Sequence, residues 1–162
     1  MILTEESTAK FILLGGKDEI EEGEVIESRV DKKAVVNLIN KTSYRKSMAA
    51  LSYCKICIGN DTSLIHAAAA LKIPVLTPNC LAADIKNQSS SIKRWYPYNV
   101  PSVTVMPKNA LPECRNSNNF FGCTQNYSHC INQIPPHIMF QALHILKDQI
   151  TKNNIEPVYV SW

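Results

Sequence analysis

Residues 57–71 read Cys57-Ile58-Gly59-Asn60-Asp61-Thr62-Ser63-Leu64-Ile65-His66-Ala67-Ala68-Ala69-Ala70-Leu71, an apolar strand that passes through a small polar turn into an alanine-rich helix. Asp61, Thr62 and Ser63 stand where the helix must begin, because each can satisfy orphan backbone N–H groups there. A helix start also carries a partial positive charge and several outward N–H donors, which suits an anion. His66 follows Thr62 by four residues, so the spacing places both side chains on one face of the first turns. A hydroxyl, an imidazole and backbone amides aimed at one spot fit a bound diphosphate. The structural alternative is plain: Asp, Thr and Ser are the commonest caps, and a single helical His more often packs than binds. The neighbourhood favours a ligand. The strand closes on Gly59, and Ile73-Pro74-Val75-Leu76-Thr77 resumes as a strand after the helix. Ligands of open α/β sheets gather at the carboxyl ends of strands, which is where this turn lies.

Outward from that stretch, short apolar runs alternate with helical patterns, which implies an α/β fold with a parallel sheet flanked by helices. Lys10 to Leu14 reads as a strand closed by Gly15-Gly16, and residues 17–30 as an acidic helix with Ile20, Val25, Ile26 and Val30 as its apolar positions. Ala34 to Leu38 is a second strand. Thr42 or Ser43 caps a helix to Tyr53 whose core face includes Met48, Ala49, Leu51 and Ser52. Lys55 to Ile58 is the third strand, short and apolar as buried parallel strands are. Residues 78–100 read as a loop too long for a mere connection. Val103 to Val105 is a further strand, and residues 107–134 are irregular. Pro135-Pro136 opens a last helix striped by Ile138, Ala142, Leu143, Ile145, Leu146 and Ile150. No repeat or linker divides the chain, so residues 1–162 are expected to form one domain.

Composition narrows the function. The chain has 162 residues, 45% hydrophobic and 19% charged, which marks a globular protein able to bury a core. A net charge of +3, spread over single Lys and Arg residues, argues against nucleic acid. The densest basic run, Lys93-Arg94 beside Trp95, Tyr96 and Tyr98, fits a surface loop better than a strand-binding platform. Met1 to Glu6 lacks the basic and apolar regions of a secretory signal, and no apolar stretch is long enough to span a bilayer. A cytoplasmic protein is expected, with peripheral contact at the inner face of a membrane and self-association both compatible with the sequence.

Several segments together resemble the heptosyltransferases, the glycosyltransferase family that includes ADP-heptose:lipopolysaccharide heptosyltransferase. Asp61-Thr62-Ser63-Leu64-Ile65-His66-Ala67-Ala68-Ala69 is similar to the family's Asp-Thr-Gly-x-x-His-x-x-Ala signature. Leu13-Leu14-Gly15-Gly16 with Glu19 resembles its Gly-rich turn followed by an acid. Asn37 to Ser43 resembles its Asn-Leu-x-Gly-Lys-Thr-Ser segment. Trp95-Tyr96-Pro97-Tyr98 and Cys130 to Pro135 resemble two later landmarks in the same order.

The resemblance implies a Rossmann-like domain, the C-terminal donor-binding half of a GT-B glycosyltransferase. Its substrate would be a nucleotide-diphosphate sugar of the ADP-heptose kind. By the resemblance Asp61 contacts the sugar, the amides of Thr62 and Ser63 hold the diphosphate beside His66, Gly16 lines the Gly-rich turn, Glu19 meets the ribose hydroxyls, and Lys41, Thr42 and Ser43 lie near the base. The acceptor glycolipid and the catalytic carboxylate would belong to an N-terminal domain, so no catalytic residue is assigned within this chain. Amides and a helix dipole can stabilise a departing diphosphate by themselves, and no cofactor or metal is assigned. Three positions depart from the family: Ser63 for Gly, Asn40 for the Gly before Lys41, and Thr77-Pro78-Asn79-Cys80 for Phe-Gly-Pro-Thr. Ser63 adds a Cβ where the backbone would approach phosphate.

The six cysteines suggest little chemistry. Cys54 and Cys57, placed three apart on one strand, would point to opposite faces and act as small core residues. Cys114, Cys123 and Cys130 with His129 or His137 match no common zinc spacing, and His144 is expected to face solvent. Two other functions stay open: a non-catalytic nucleotide-sugar-binding or interaction module, and a zinc-stabilised partner-binding domain built on the late cysteines.

Overall fold

The computed structural model describes residues 8–80, 96–112 and 129–162. The chain gathers into two compact units, Met1–Cys54 and Lys55–Trp162. Among the described residues every strand pairing is parallel, and a helix lies between β1 and β2, between β3 and β4, and between β5 and β6, as the expected α/β class requires.

In the first unit β1 (Phe11–Leu13) pairs with β2 (Val35–Asn37), with Phe11 opposite Val35 and Leu13 opposite Asn37. Between them a 3-10 turn (Lys17–Glu19) leads into α1 (Ile20–Arg29). The helix begins later than residue 17 because a Glu19 carboxylate oxygen accepts the Gly16 N–H at 2.6 Å, which tightens the first turn. Its buried residue is Gly23, while Val25 and Ile26 of the expected apolar set are exposed. The cause is close packing. A Cβ on Gly23 would lie 2.5 Å from Cδ1 of Ile39, so the helix turns its smallest residue inward. Val25, about 200° farther round the helix at about 100° per residue, is turned away. β2 and the turn after it are held by Asn37, whose amide donates to Glu27 at 3.0 Å and accepts from the Ile39 N–H at 3.1 Å.

α2 (Tyr44–Leu51) follows Ser43 as its N-cap residue and stops two residues short of Tyr53. Ser52 and Tyr53 instead close a turn, their N–H groups bonding to Met48 and Ala50 carbonyls. The buried positions are Ser47 and Leu51, one helical turn apart. Ala49 and Ser52 of the expected core face are exposed, and Met48 is half-buried. The inward stripe is set by Ser47, whose hydroxyl meets that of Thr42 at 2.7 Å.

The second unit holds β3 (Cys57–Ile58), β4 (Val75–Pro78), β5 (Ser102–Met106) and β6 (Val158–Ser161), side by side in chain order. α3 (Ser63–Ala70) joins β3 to β4, and α4 (Pro136–Thr151) precedes β6. β5 is buried at all five positions, as befits an inner parallel strand. α3 buries Ile65 together with Ala67, Ala68 and Ala69, three small residues that let a helix lie close to the sheet. α4 starts with Pro at its first position and buries Ile138, Ala142, Leu143, Leu146 and Gln149. Ile145 and Ile150, expected in its stripe, are exposed. Gln149 takes the inward place, donating to the Glu156 carbonyl at 2.6 Å and so tying the helix end to the approach of β6.

β6 has no counterpart in the sequence reading. Val158-Tyr159-Val160 consists of strand formers, but the run is short and follows a strongly marked helix. Its pairing with β5, Val103 opposite Val158 through Met106 opposite Ser161, is what reveals it. The pairing of Cys54 and Cys57 on one strand is also corrected. Cys57 opens β3, whereas Cys54 lies in the turn after α2 with its thiol directed at the Ala50 carbonyl, and both are half-buried. The strand there is short because the turn from α2 consumes residues 52–56. Most of the expected long loop, including Lys93, Arg94 and Trp95, lies outside the described residues, as do Cys114 and Cys123. Residues His129–Gln133 form a 3-10 turn.

Candidate functional site

The turn between β3 and α3 carries the signature residues. Gly59 extends the pairing of β3, its N–H bonding to the Leu76 carbonyl at 3.2 Å. Thr62 is the N-cap residue, extended at φ −135° and ψ 175°, and its carbonyl accepts the Ile65 N–H at 3.1 Å. No side-chain cap bond forms at Thr62, so the expected capping role of its hydroxyl is not the one seen. Ser63 is the first helical residue, and the first amides of α3 point back toward the turn. Asp61 reaches across the turn, with its Oδ1 3.3 Å from Nε2 of His66. Both side chains are about half exposed, at 40% and 45%. A carboxylate, an imidazole and a helix start thus meet at the carboxyl end of β3, open to solvent. The contact joins residues five apart, one position earlier than the Thr62–His66 spacing suggested.

The remaining candidates lie in the first unit. Gly16 and Glu19 are brought together, since the Gly16 N–H is the donor to the Glu19 carboxylate. Lys41 folds back along its own segment, its Nζ donating to the Asn37 carbonyl at 3.1 Å. Thr42 pairs with Ser47, and the Ser43 carbonyl accepts the Ser47 N–H at 2.9 Å. Ser43 occupies the N-cap without a side-chain cap bond.

Asn40 stands where the resembling family has Gly, and the structure gives it a role. Lys41 N–H bonds to the Leu38 carbonyl at 3.0 Å, closing a turn whose third residue, Asn40, has φ 54°. That left-handed position calls for Gly or Asn. The Asn40 N–H also bonds to the Gly15 carbonyl at 3.0 Å, coupling this turn to the Gly-rich one.

Among the described residues no group of three or more His, Cys, Asp or Glu side chains could hold a metal. Cys130 is buried against Ala110 and Leu111, and His137 meets the Trp162 ring edge-to-face. Burial pushes the Cys54 thiol up from its ordinary range. Burial and the neighbouring Tyr96 push up the Tyr159 hydroxyl. His144 is exposed on α4, in edge contact with Phe140. No helix among the described residues is long and apolar enough to cross a membrane.

Comparison with known families bears on the same turn. Residues 2–79 match the family described as glycosyltransferase family 9 (heptosyltransferase). That segment, just under half of the chain, is similar to heptosyltransferases. It contains the Gly15-Gly16 turn, the Asn37–Ser43 segment and the Asp61–His66 signature, so three of the five resembling segments fall inside the match. The landmarks at residues 95–98 and 130–135 fall outside it. No curated protein and no solved structure matches the chain. A glycosyltransferase family implies, in general, a sugar donor and an acceptor.

Proposed function

We propose that the chain, acting as one donor domain over residues 1–162, binds the nucleotide-diphosphate sugar of a heptosyltransferase reaction. Asp61, Thr62, Ser63 and His66 contact the sugar and diphosphate in this reading, and Gly16, Glu19, Lys41, Thr42 and Ser43 are the family-like polar positions of the first unit. The observation that carries it is the Asp61–His66 pair at the start of α3, inside the family match. The helix start offers amides to the diphosphate, and the adjacent carboxylate offers an acceptor to sugar hydroxyls. The donor is an ADP-heptose-like compound, and the acceptor a lipopolysaccharide or similar glycolipid at the inner face of a membrane.

Transfer also requires a base to activate the acceptor hydroxyl and a closed cleft to exclude water. In this reading both come from a separate acceptor domain, and residues 1–162 alone transfer no sugar. Calorimetry with ADP-sugars and other nucleotide sugars tests the donor site. Saturable heat is expected, lost in Asp61→Ala and in His66→Ala. Equal binding by wild type and both variants would place the donor elsewhere. Turnover by the isolated chain on nucleotide sugars and lipid-linked acceptors would overturn the division of labour.

A further inference from the structure

We propose that the outer edge of β6 is a homodimer interface, at which two copies of the chain pair their β6 strands antiparallel about a two-fold axis at Val160. The surface lies outside the family match and does not depend on donor binding.

β6 ends the second unit's sheet, and among the described residues no strand pairs beyond it. Its register is fixed at Trp162, whose N–H bonds to the Met106 carbonyl at 2.9 Å and whose carbonyl accepts the Lys108 N–H. Along a parallel ladder alternate residues turn their backbone polar groups to the neighbouring strand. Val158 and Val160 therefore share the β5 side with Trp162, while the N–H and carbonyl groups of Tyr159 and Ser161 point away from the sheet. These outward donors and acceptors, two residues apart, form a template for another strand. Natural edges are commonly blunted by charges or bulges, yet β6 pairs with β5 in unbroken register and Val158 to Trp162 carry no charged side chain. Pro157 bounds the edge at its start and keeps the pairing short.

The edge is complementary to itself. With Val160 on the axis, Tyr159 stands opposite Ser161 of the second copy, and Ser161 opposite its Tyr159. Each of these pairs exchanges both N–H···O bonds, so every outward group of the two strands is satisfied. Val160 then meets Val160, and Trp162 meets Val158, at the positions where side chains across an antiparallel pair approach most closely. Val158, Tyr159 and Val160 are half-buried and Trp162 is exposed, so each has surface left to cover.

Charge and area decide the occupant and its strength. About a two-fold axis a charged side chain meets its own kind, and residues 157–162 bring none, which removes the usual barrier to self-pairing. A contact this short stays below the roughly 1,200 Å² at which standard interfaces begin, so the dimer is weak and concentration-dependent. Two-fold pairing uses both β6 edges and leaves none free, so assembly by this route stops at two.

Sedimentation velocity on the full 162-residue chain tests this, in reducing buffer from about 10 μM to about 1 mM. We expect a reversible monomer–dimer shift within that range. Ser161→Pro deletes an outward N–H while sparing the ladder to β5, and should weaken association at least about tenfold; Ser161→Ala keeps that N–H and should stay within about twofold. Thermal denaturation checks that both variants fold. Val160→Cys gives a reading that does not need the proline variant. Facing residues at a non-hydrogen-bonded position have Cα atoms about 4.5 Å apart, within disulfide reach. Mild oxidation should therefore give a covalent dimer above the wild-type level in Val160→Cys but not in Tyr159→Cys, whose thiol would face Ser161. A chain that stays monomeric throughout, a dimer indifferent to Ser161→Pro, or equal cross-linking in the two cysteine variants overturns the interface.

Discussion

Oδ1 of Asp61 and Nε2 of His66 lie 3.3 Å apart across the first turn of α3. The contact brings the two signature side chains together without burying either, so each remains available to a ligand. An exposed carboxylate–imidazole contact of this kind adds little to stability. Its effect is to fix where the carboxylate and the imidazole stand relative to the start of α3.

Asp61→Asn and His66→Ala should therefore leave the fold intact while weakening donor binding. Thermal denaturation should place both within about 3 °C of wild type, as for exposed substitutions. Calorimetry should show affinity for a nucleotide sugar reduced by about tenfold or more, each tenfold being about 1.4 kcal/mol. Unfolding of either variant would mean that the pair supports the turn itself.

Asn40 holds φ 54° in the turn that links the Gly15 carbonyl to Lys41. Asn40→Gly should change stability by no more than a few tenths of a kcal/mol, since both residues accept this conformation. Asn40→Val should cost about 1–2 kcal/mol in urea denaturation, because a β-branched residue resists the left-handed region. A neutral Asn40→Val would show that the turn can rearrange freely.

Gly23 faces Ile39 so closely that a Cβ would come within 2.5 Å of its Cδ1. Gly23→Ala would gain about 1 kcal/mol in a free helix, yet here it should destabilise by about 1–2 kcal/mol through overpacking. In an Ile39→Val background, which removes that methyl, most of the loss should vanish. A double-mutant cycle in denaturant measures the coupling, and additivity would contradict the contact.

Cys54 titrates above its ordinary range because burial disfavours the thiolate. The folded state then holds its proton longer than the unfolded chain does. The contribution to stability is present below the unfolded thiol's pKa and fades as pH rises through and beyond it. Stability measured from neutral pH upward should decline less steeply in Cys54→Ala than in wild type. Parallel curves would mean that the group is solvated.

Much of this was legible in the sequence because it is local. Five strands, the four helices and the turn after β3 announce themselves through apolar runs, caps and Pro136, whose reach is a few residues. The misplacements share a different cause. Val25, Ala49, Ile145 and Ile150 are apolar or small residues at helical spacing, but which side of a helix faces inward depended on Gly23, Ser47 and Gln149. Those choices came from particular partners: Ile39, Thr42 and the carbonyl of Glu156.

The sequence by itself determined the α/β class, the parallel strands and the turn from β3 into α3, because periodicity and capping act over one or two helical turns. Only the tertiary structure decided that β6 completes the sheet, that Asn40 needs a left-handed backbone, that Asp61 rather than Thr62 meets His66, and that Trp162 stands exposed beside His137. Each of these depends on two segments brought together in space, and no spacing within one segment carries that information.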